Sequence, residues 1–255
     1  MAMPSSIPYN PKKDKKNSKR KAPILLFSGD KGGIGKSFAA RIFAGLLGQW
    51  GYSAVGFDGD ARNAHLERYY ASVFPVGRPY LRSEAGWAQM FDGWEAVADE
   101  TVILIDTQAG FGEVASQQKA AILLATEKLQ REVISLWIAD EEEDSVRLFK
   151  AAPELAPSDN TFFLMNGRFG STLAEFVIWR ESQTRAQALA RGVRELLLPA
   201  LPIRARTRIA RAHAPFYPRP QIGLSFSETI EFDLWWSRAE EACEPVLKKI
   251  QEIMA

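Results

Sequence analysis

The run Ser28-Gly-Asp-Lys-Gly-Gly-Ile-Gly-Lys-Ser37 constrains this chain more than any other segment. It follows the short apolar run Pro23–Phe27. It precedes a stretch in which Phe38, Ile42, Phe43, Leu46, Leu47 and Trp50 recur at helical spacing until Gly51. Strand, glycine-rich loop and helix in that order is the context of a phosphate-binding loop. Gly32, Gly33 and Gly35 let the backbone curl, so that its N–H groups turn inward toward phosphate oxygens. The expected binding segment is therefore Gly32, Gly33, Ile34, Gly35, Lys36, Ser37 and Phe38. Lys36 brings a point charge for the β- and γ-phosphates, and the Ser37 hydroxyl is a natural magnesium ligand. A glycine-rich turn without a ligand is the alternative. A dinucleotide fingerprint is excluded, because Phe38 stands where its third glycine belongs.

Beyond this segment, short apolar runs alternate with longer helical patterns. The expected strands are Pro23–Phe27, Ser53–Phe57, Val102–Ile105, Val133–Ile138, Thr161–Met165 and Glu195–Leu198. Further helices are expected over roughly 62–73, 84–98, 115–130, 143–151, 172–190 and 230–253. The alternation predicts an α/β fold, a mostly parallel twisted sheet with helices on both faces. Residues 1–21 carry no hydrophobic periodicity and hold seven basic residues between Lys12 and Lys21, so they read as a disordered basic arm before a single domain over 22–255.

The bulk composition excludes several classes. Hydrophobic residues make up 46% and charged residues 25%, as in ordinary globular proteins. No apolar run approaches the roughly 18–20 residues of a membrane span, and the first twenty residues lack a signal-peptide core, so a cytoplasmic location is expected. Cys243 is the only cysteine, which precludes an intrachain disulfide. With two histidines, it also leaves little for a Cys/His metal site.

Three aspartates fall at the carboxyl ends of expected strands: Asp58 and Asp60 after the second, Asp106 after the third. Ligands of open parallel sheets bind along that edge. Carboxylates converging on a phosphate loop call for a cation between them, with Asp106 and Ser37 its first candidates. Each aspartate could instead cap a helix or form a turn. Asn166 offers an amide donor and acceptor that suit an adenine edge, or it forms an Asn-Gly turn.

The string Lys31-Gly-Gly-Ile-Gly-Lys-Ser37 resembles the deviant Walker A box, K-G-G-x-G-K-[ST], of the ParA/MinD group of ATPases; all six specified positions match. The resemblance runs over about residues 23 to 215. Phe57-Asp-Gly-Asp60 is similar to the group's switch I, and Leu104-Ile-Asp-Thr-Gln-Ala-Gly110 to its Walker B and switch II. Thr161–Asn166 is similar to the strand whose last residue reads the adenine, and Leu201-Pro-Ile203, with Pro202 at its centre, to the loop that closes over the base.

The resemblance implies ATP and Mg2+ as ligands, with Ser37, Asp58 and Asp106 around the metal. It implies Lys36 and Asp60 as catalytic residues, Asp60 activating the attacking water. It implies that Lys31 reaches in trans across a homodimer formed on ATP binding, and that a protein partner stimulates hydrolysis. ATP is favoured over GTP, since no N-K-x-D motif follows the third strand. The chain departs from the group where Asp60-Ala-Arg62 lacks the Pro and Gln of switch I, and where Gln108 replaces a proline. Lys-Ser-Phe at 36–38, Asp144-Ser-Val146 and Asn166-Gly-Arg-Phe-Gly170 are similar to the plasmid conjugal-transfer ATPases called TraL.

Three uses of such a cycle are open. In a partition or transfer ATPase, Arg204, Arg206, Arg208 and Arg211, with the basic arm, would contact DNA phosphates. Four contacts per subunit predict a log K against log salt slope of about −7 for a dimer. The same arginines could instead pair with the acidic C-terminal helix, and the arm could be a solubilising tail. A biosynthetic enzyme on the same fold would need a second pocket, and the acids at Asp140 to Asp144 read as a solvated helix start rather than one. A nucleotide-binding scaffold with weak hydrolysis is the third use. The C-terminal helix mixes both charges and is a poor membrane anchor. Leu234, Trp235, Ala242, Val246 and Ile250 are expected to dock it on the core, with Trp235 and Trp236 also candidates for a partner surface. Trp87, Trp94, Trp137 and Trp179 are expected in the core.

Overall fold

The computed structural model describes residues 20–219 and 222–255. Nearly all of the basic arm expected over 1–21 thus lies outside the described residues. Seven strands form one sheet: β1 (Ile24–Ser28), β2 (Ala54–Asp58), β3 (Val76–Gly77), β4 (Val102–Asp106), β5 (Val133–Ala139), β6 (Thr161–Asn166) and β7 (Arg194–Leu198). Their order is β3-β2-β4-β1-β5-β6-β7, and every pairing is parallel. The helices are α1 (Lys36–Gln49), α2 (His65–Tyr70), α3 (Glu84–Glu95), α4 (Phe111–Leu129) and α5 (Glu143–Ala151). They continue with α6 (Val177–Glu181), α7 (Gln183–Ala190), α8 (Ile203–Ala212) and α9 (Phe226–Met254).

The central strands read as continuous aliphatic runs because both faces of a parallel sheet are covered. All five residues of β1 and of β4 are buried. Period-two alternation then sorts side chains between two layers. Leu25, Phe27, Leu104 and Leu136 pack with α1, α2, α8 and α9, while Ile24, Leu26, Ile103 and Ile105 pack with α3 and α4. Trp137 and Phe163 pack with α5–α7 on that second face. Trp87, Trp94, Trp137 and Trp179 are all buried, as expected.

The departures from expectation have local causes. Strand β3 is two residues long, too short for periodicity to register. The helix expected over 172–190 is broken: a 3-10 turn at Leu173–Glu175 precedes α6, and α7 restarts where the Ser182 side chain accepts from the Arg185 N–H. Helix α8 occupies the arginine stretch, which lies outside the expected helix ranges; Ala205 and Ile209, one turn apart, are both buried. Helix α9 begins four residues early on a capping box, in which Ser225 and Glu228 satisfy each other's backbone N–H. The partner surface expected at Trp235 and Trp236 is overturned. Trp235 is buried in the core with Phe232 and Ala239, and Trp236 packs against it half-buried. Leu234, expected to dock, is 55% exposed, because it falls on the opposite side of the helix from those three.

Candidate functional site

The carboxyl ends of β1, β2, β4 and β6 converge on the loop between Ser28 and Lys36. Gly33 (φ 80°) and Gly35 (φ 104°) are left-handed, which only glycine adopts at little cost. A Cβ on Gly35 would run into the Asn166 amide. Gly35 precedes α1 directly, so that helix begins with no side-chain cap and no acidic residue in its first turn. Its first N–H groups are therefore left for an anion, with the positive helix end behind them. Lys36 is buried and donates to the Lys31 carbonyl at 2.7 Å. Burial pulls its pKa below the ordinary lysine value, against the charges of Asp106, Asp30 and Asp60.

Asp106 is fully buried, and neither of its oxygens has a hydrogen-bond partner. Burial, reinforced by the charge of Asp58 across the β2–β4 register, pushes its pKa up to about 8, against the favourable influence of Ser37 and Lys36. An orphaned carboxylate beside a hydroxyl and a phosphate loop is what a hard cation requires. These residues fit Mg2+, with Asp106 and Ser37 as the groups that would hold it. Asp58 and Asp60 lie close enough for their charges to act on Asp106, and both are also engaged by the backbone. Asp58 accepts from the Asp60 and Glu67 N–H groups, both at 3.1 Å, and so caps the turn and α2. Burial still raises its pKa to about 6. Asp60 borders the cavity, and its Oδ1 accepts from the N–H groups of Arg62 and Asn63 at 3.0 Å.

Asn166 borders the cavity over the loop. Its Nδ2 donates to the Ile34 carbonyl at 2.7 Å, and its Oδ1 accepts from the Arg168 N–H at 3.1 Å, so it braces the loop and forms the turn, with one donor and one lone pair left over. Ile34 itself is buried in the core and does not line the cavity. Pro202 is displaced from its expected place. It stands before α8 and faces a different groove, while Ala200 and Leu201 border the cavity.

Lys31 is held in cis. Its ammonium bridges Asp140 at 2.5 Å and Glu142 at 2.6 Å. Partial burial works against its charge, but those two bonds outweigh it and lift the pKa above the ordinary value. Asp140 is thus no solvated helix start. It is buried, and its other oxygen accepts from Ser145 Oγ at 2.6 Å. Two further residues tie the site together. Asp30, standing where the common phosphate loop has glycine, accepts from the Gly112 N–H at 2.5 Å and so caps α4, which has no cap of its own. Gln108, in the amide orientation that satisfies both neighbours, bridges the Gly59 carbonyl and Arg82. Asp30 was legible only as an oddity, because its partner lies 82 positions away.

The four arginines of α8 divide. Arg204 pairs with Glu231 and Arg208 with Glu228, both at 2.9 Å on α9. Arg206 and Arg211 are exposed and have no ion-pair partner among the described residues.

A cavity of about 480 Å³ opens over the loop, with Gly33, Lys36, Ser37, Phe38, Asp60 and Thr107 on its wall. A slightly larger one, about 530 Å³, lies on the opposite face between α4 and α5–α7. It contains neither Lys36 nor Ser37, so size does not locate the chemistry.

No family model matches the chain. It is similar to Protein MobD of Acidithiobacillus ferrooxidans, 23% identical over 229 residues, covering 88% of this chain and 97% of that one. Among solved structures it is similar to chloroplast FtsY from Physcomitrella patens (TM-score 0.51, 15% identity, 72% of this chain and 60% of that one). It is likewise similar to the signal recognition particle receptor FtsY from Elizabethkingia anophelis (TM-score 0.51, 15% identity, 86% and 66%). The chain thus spans about three fifths to two thirds of those proteins, and the likeness is one of fold. Among the described residues no helix is long and apolar enough to cross a membrane.

Proposed function

We propose that this chain binds ATP with Mg2+ and hydrolyses it as a ParA/MinD-like ATPase that dimerises on ATP and moves DNA or a DNA-associated cargo. The observation that carries the nucleotide reading is the pairing of an uncapped α1 N-terminus with an orphaned Asp106 beside Ser37. Each half lacks a partner that a triphosphate and its cation would supply. The loop N–H groups hold the phosphate oxygens, and Lys36 leaves the Lys31 carbonyl for the β- and γ-phosphates. Ser37 and Asp106 would hold Mg2+, which would supply charge neutralisation on those oxygens. Asp60 reaches the cavity wall, from which it orients the attacking water. Lys31 must exchange Asp140 and Glu142 for phosphate oxygens of the partner copy.

The six matched positions of the deviant Walker A box support ATP-dependent dimerisation, and the segments similar to TraL support a place in conjugal transfer. Titration with ATP and GTP, each with and without Mg2+, tests the core of this reading. Magnesium-dependent heat with ATP supports it, and none with either nucleotide ends it. One observation favours weak hydrolysis instead: Asp60 is engaged as a turn acceptor. Phosphate release measured against a Lys31→Ala chain separates a slow ATPase from a scaffold.

A further inference from the structure

Among the described residues four basic side chains are buried, and three of them are satisfied. Lys36 donates to a carbonyl, Arg131 donates to four, and Lys249 bridges Asp159 and Glu252. The fourth is Arg41, one turn beyond Ser37 on α1, 8% exposed and bordering the nucleotide cavity. Its Nε has no partner, and no carboxylate lies within ion-pair distance among the described residues. Its guanidinium carbon lies over two aromatic rings, 3.4 Å from the centroid of Tyr69 and 4.5 Å from that of Phe216. Aromatic faces satisfy the faces of a guanidinium. They leave the Nε donor unmet, and Nε with an adjacent N–H is one edge of the fork by which a guanidinium takes a phosphate or carboxylate two bonds at a time. A buried charge without a counter-charge is costly, so its retention on a cavity wall points to a ligand.

Arg206 and His65 border the same cavity, and His213 packs against the Tyr69 ring. Burial first, and then the charges of Arg41 and Arg68, depress the pKa of His65 and favour its neutral form, which still has one N–H to donate. Asp60 is the one acid on this cavity wall, and its Oδ1 is occupied by the turn.

We infer that Arg41, with His65 and Arg206, forms a second anion subsite contiguous with the phosphate loop, taking a phosphate group beyond those the loop holds. Its location in a nucleotide cavity rests on the reading above; its charge and its vacant Nε donor do not. The phosphate has two sources, one carried on the ribose of the bound nucleotide and one separate from it.

Calorimetry on the full chain distinguishes them. ADP is compared with adenosine 3′-phosphate 5′-diphosphate, and inorganic phosphate is titrated into the ADP-saturated protein. A ribose-borne source makes the second nucleotide bind about tenfold tighter, the gain of one charge-assisted pair of bonds. A separate source gives phosphate heat on top of ADP. Arg41→Met, which keeps the length of the stacked chain without its charge, is expected to erase whichever increment is seen. Should that variant not fold by circular dichroism, His65→Gln and Arg206→Gln are expected to reduce the increment several-fold. No increment with either probe in the parent chain overturns the subsite, as does one that survives in the folded variants. If ADP itself fails to bind, the nucleotide reading falls. Inorganic phosphate titrated into Lys36→Ala and into the Lys36→Ala, Arg41→Met pair then decides the subsite alone.

Discussion

The phosphate loop and helix α8 both look, in sequence, like places where basic residues await phosphate. In the folded chain they differ. The loop's N–H groups and the Asp106 carboxylate are left without internal partners, whereas half of the α8 arginines are already paired to α9. The exposed pair of the two, Arg204–Glu231, contributes little to stability, about 0–1 kcal/mol. Both pairs still withhold those arginines from a weakly bound polyanion. A charge is available for binding where the fold has left it unmatched, and composition alone does not reveal which charges those are.

The largest test of this contrast is Lys36→Ala, expected to weaken ATP binding by about a hundredfold or more, since several charge-assisted bonds depend on it. Calorimetry checks it, and near-parent affinity would remove the loop from consideration. Asp106→Asn is expected to erase the magnesium-dependent part of ATP affinity while leaving the thermal midpoint unchanged or higher, because no internal hydrogen bond is lost. A clear fall in the midpoint would show that the carboxylate is structural.

Gly35→Ala is expected to cost about 1–2 kcal/mol from its left-handed backbone alone, with further loss as the added methyl displaces the Asn166 brace. Urea unfolding reads that cost. For α8 the prediction is a salt slope. With only Arg206 and Arg211 unpaired, two contacts per subunit and four in a dimer give about −3.6 rather than about −7. A slope near the larger value would mean that Arg204 and Arg208 let go of α9 to bind DNA.

The smallest effect concerns the Arg208–Glu228 pair. Arg208 and the Ser225 N–H hold the Glu228 pKa down to about 2. A carboxylate depressed in the folded state adds stability above its unfolded pKa, and that contribution is lost as pH falls through the folded value. Thermal midpoints of the parent and Glu228→Gln should therefore differ at pH 5 and converge toward pH 2. Midpoints that stay apart in acid would show that Glu228 acts through packing.

Much of the fold was legible because it is locally encoded. Uniform aliphatic runs such as Ile24–Phe27 have few alternatives to a doubly covered strand. Helix α8 was not, since two small buried positions among arginines carry too little apolar signal, and its burial comes from α9. In the site, the glycines, Lys36, Ser37 and Asp106 could be read from spacing. Arg41 could not, because nothing adjacent to it in sequence tells that Tyr69 and Phe216 will enclose it.

The sequence by itself determined the cradle. Glycines at 33 and 35 admit left-handed backbone, and a lysine and a serine placed directly after them open a helix, all within ten residues. Only the tertiary structure decided which charges remain available. Asp30 goes to α4, Lys31 to Asp140 and Glu142, Asn166 to the loop itself, and Arg41 to no carboxylate. Backbone conformation is set by nearest neighbours, whereas the pairing of charges depends on groups brought together from 82 to 132 positions away.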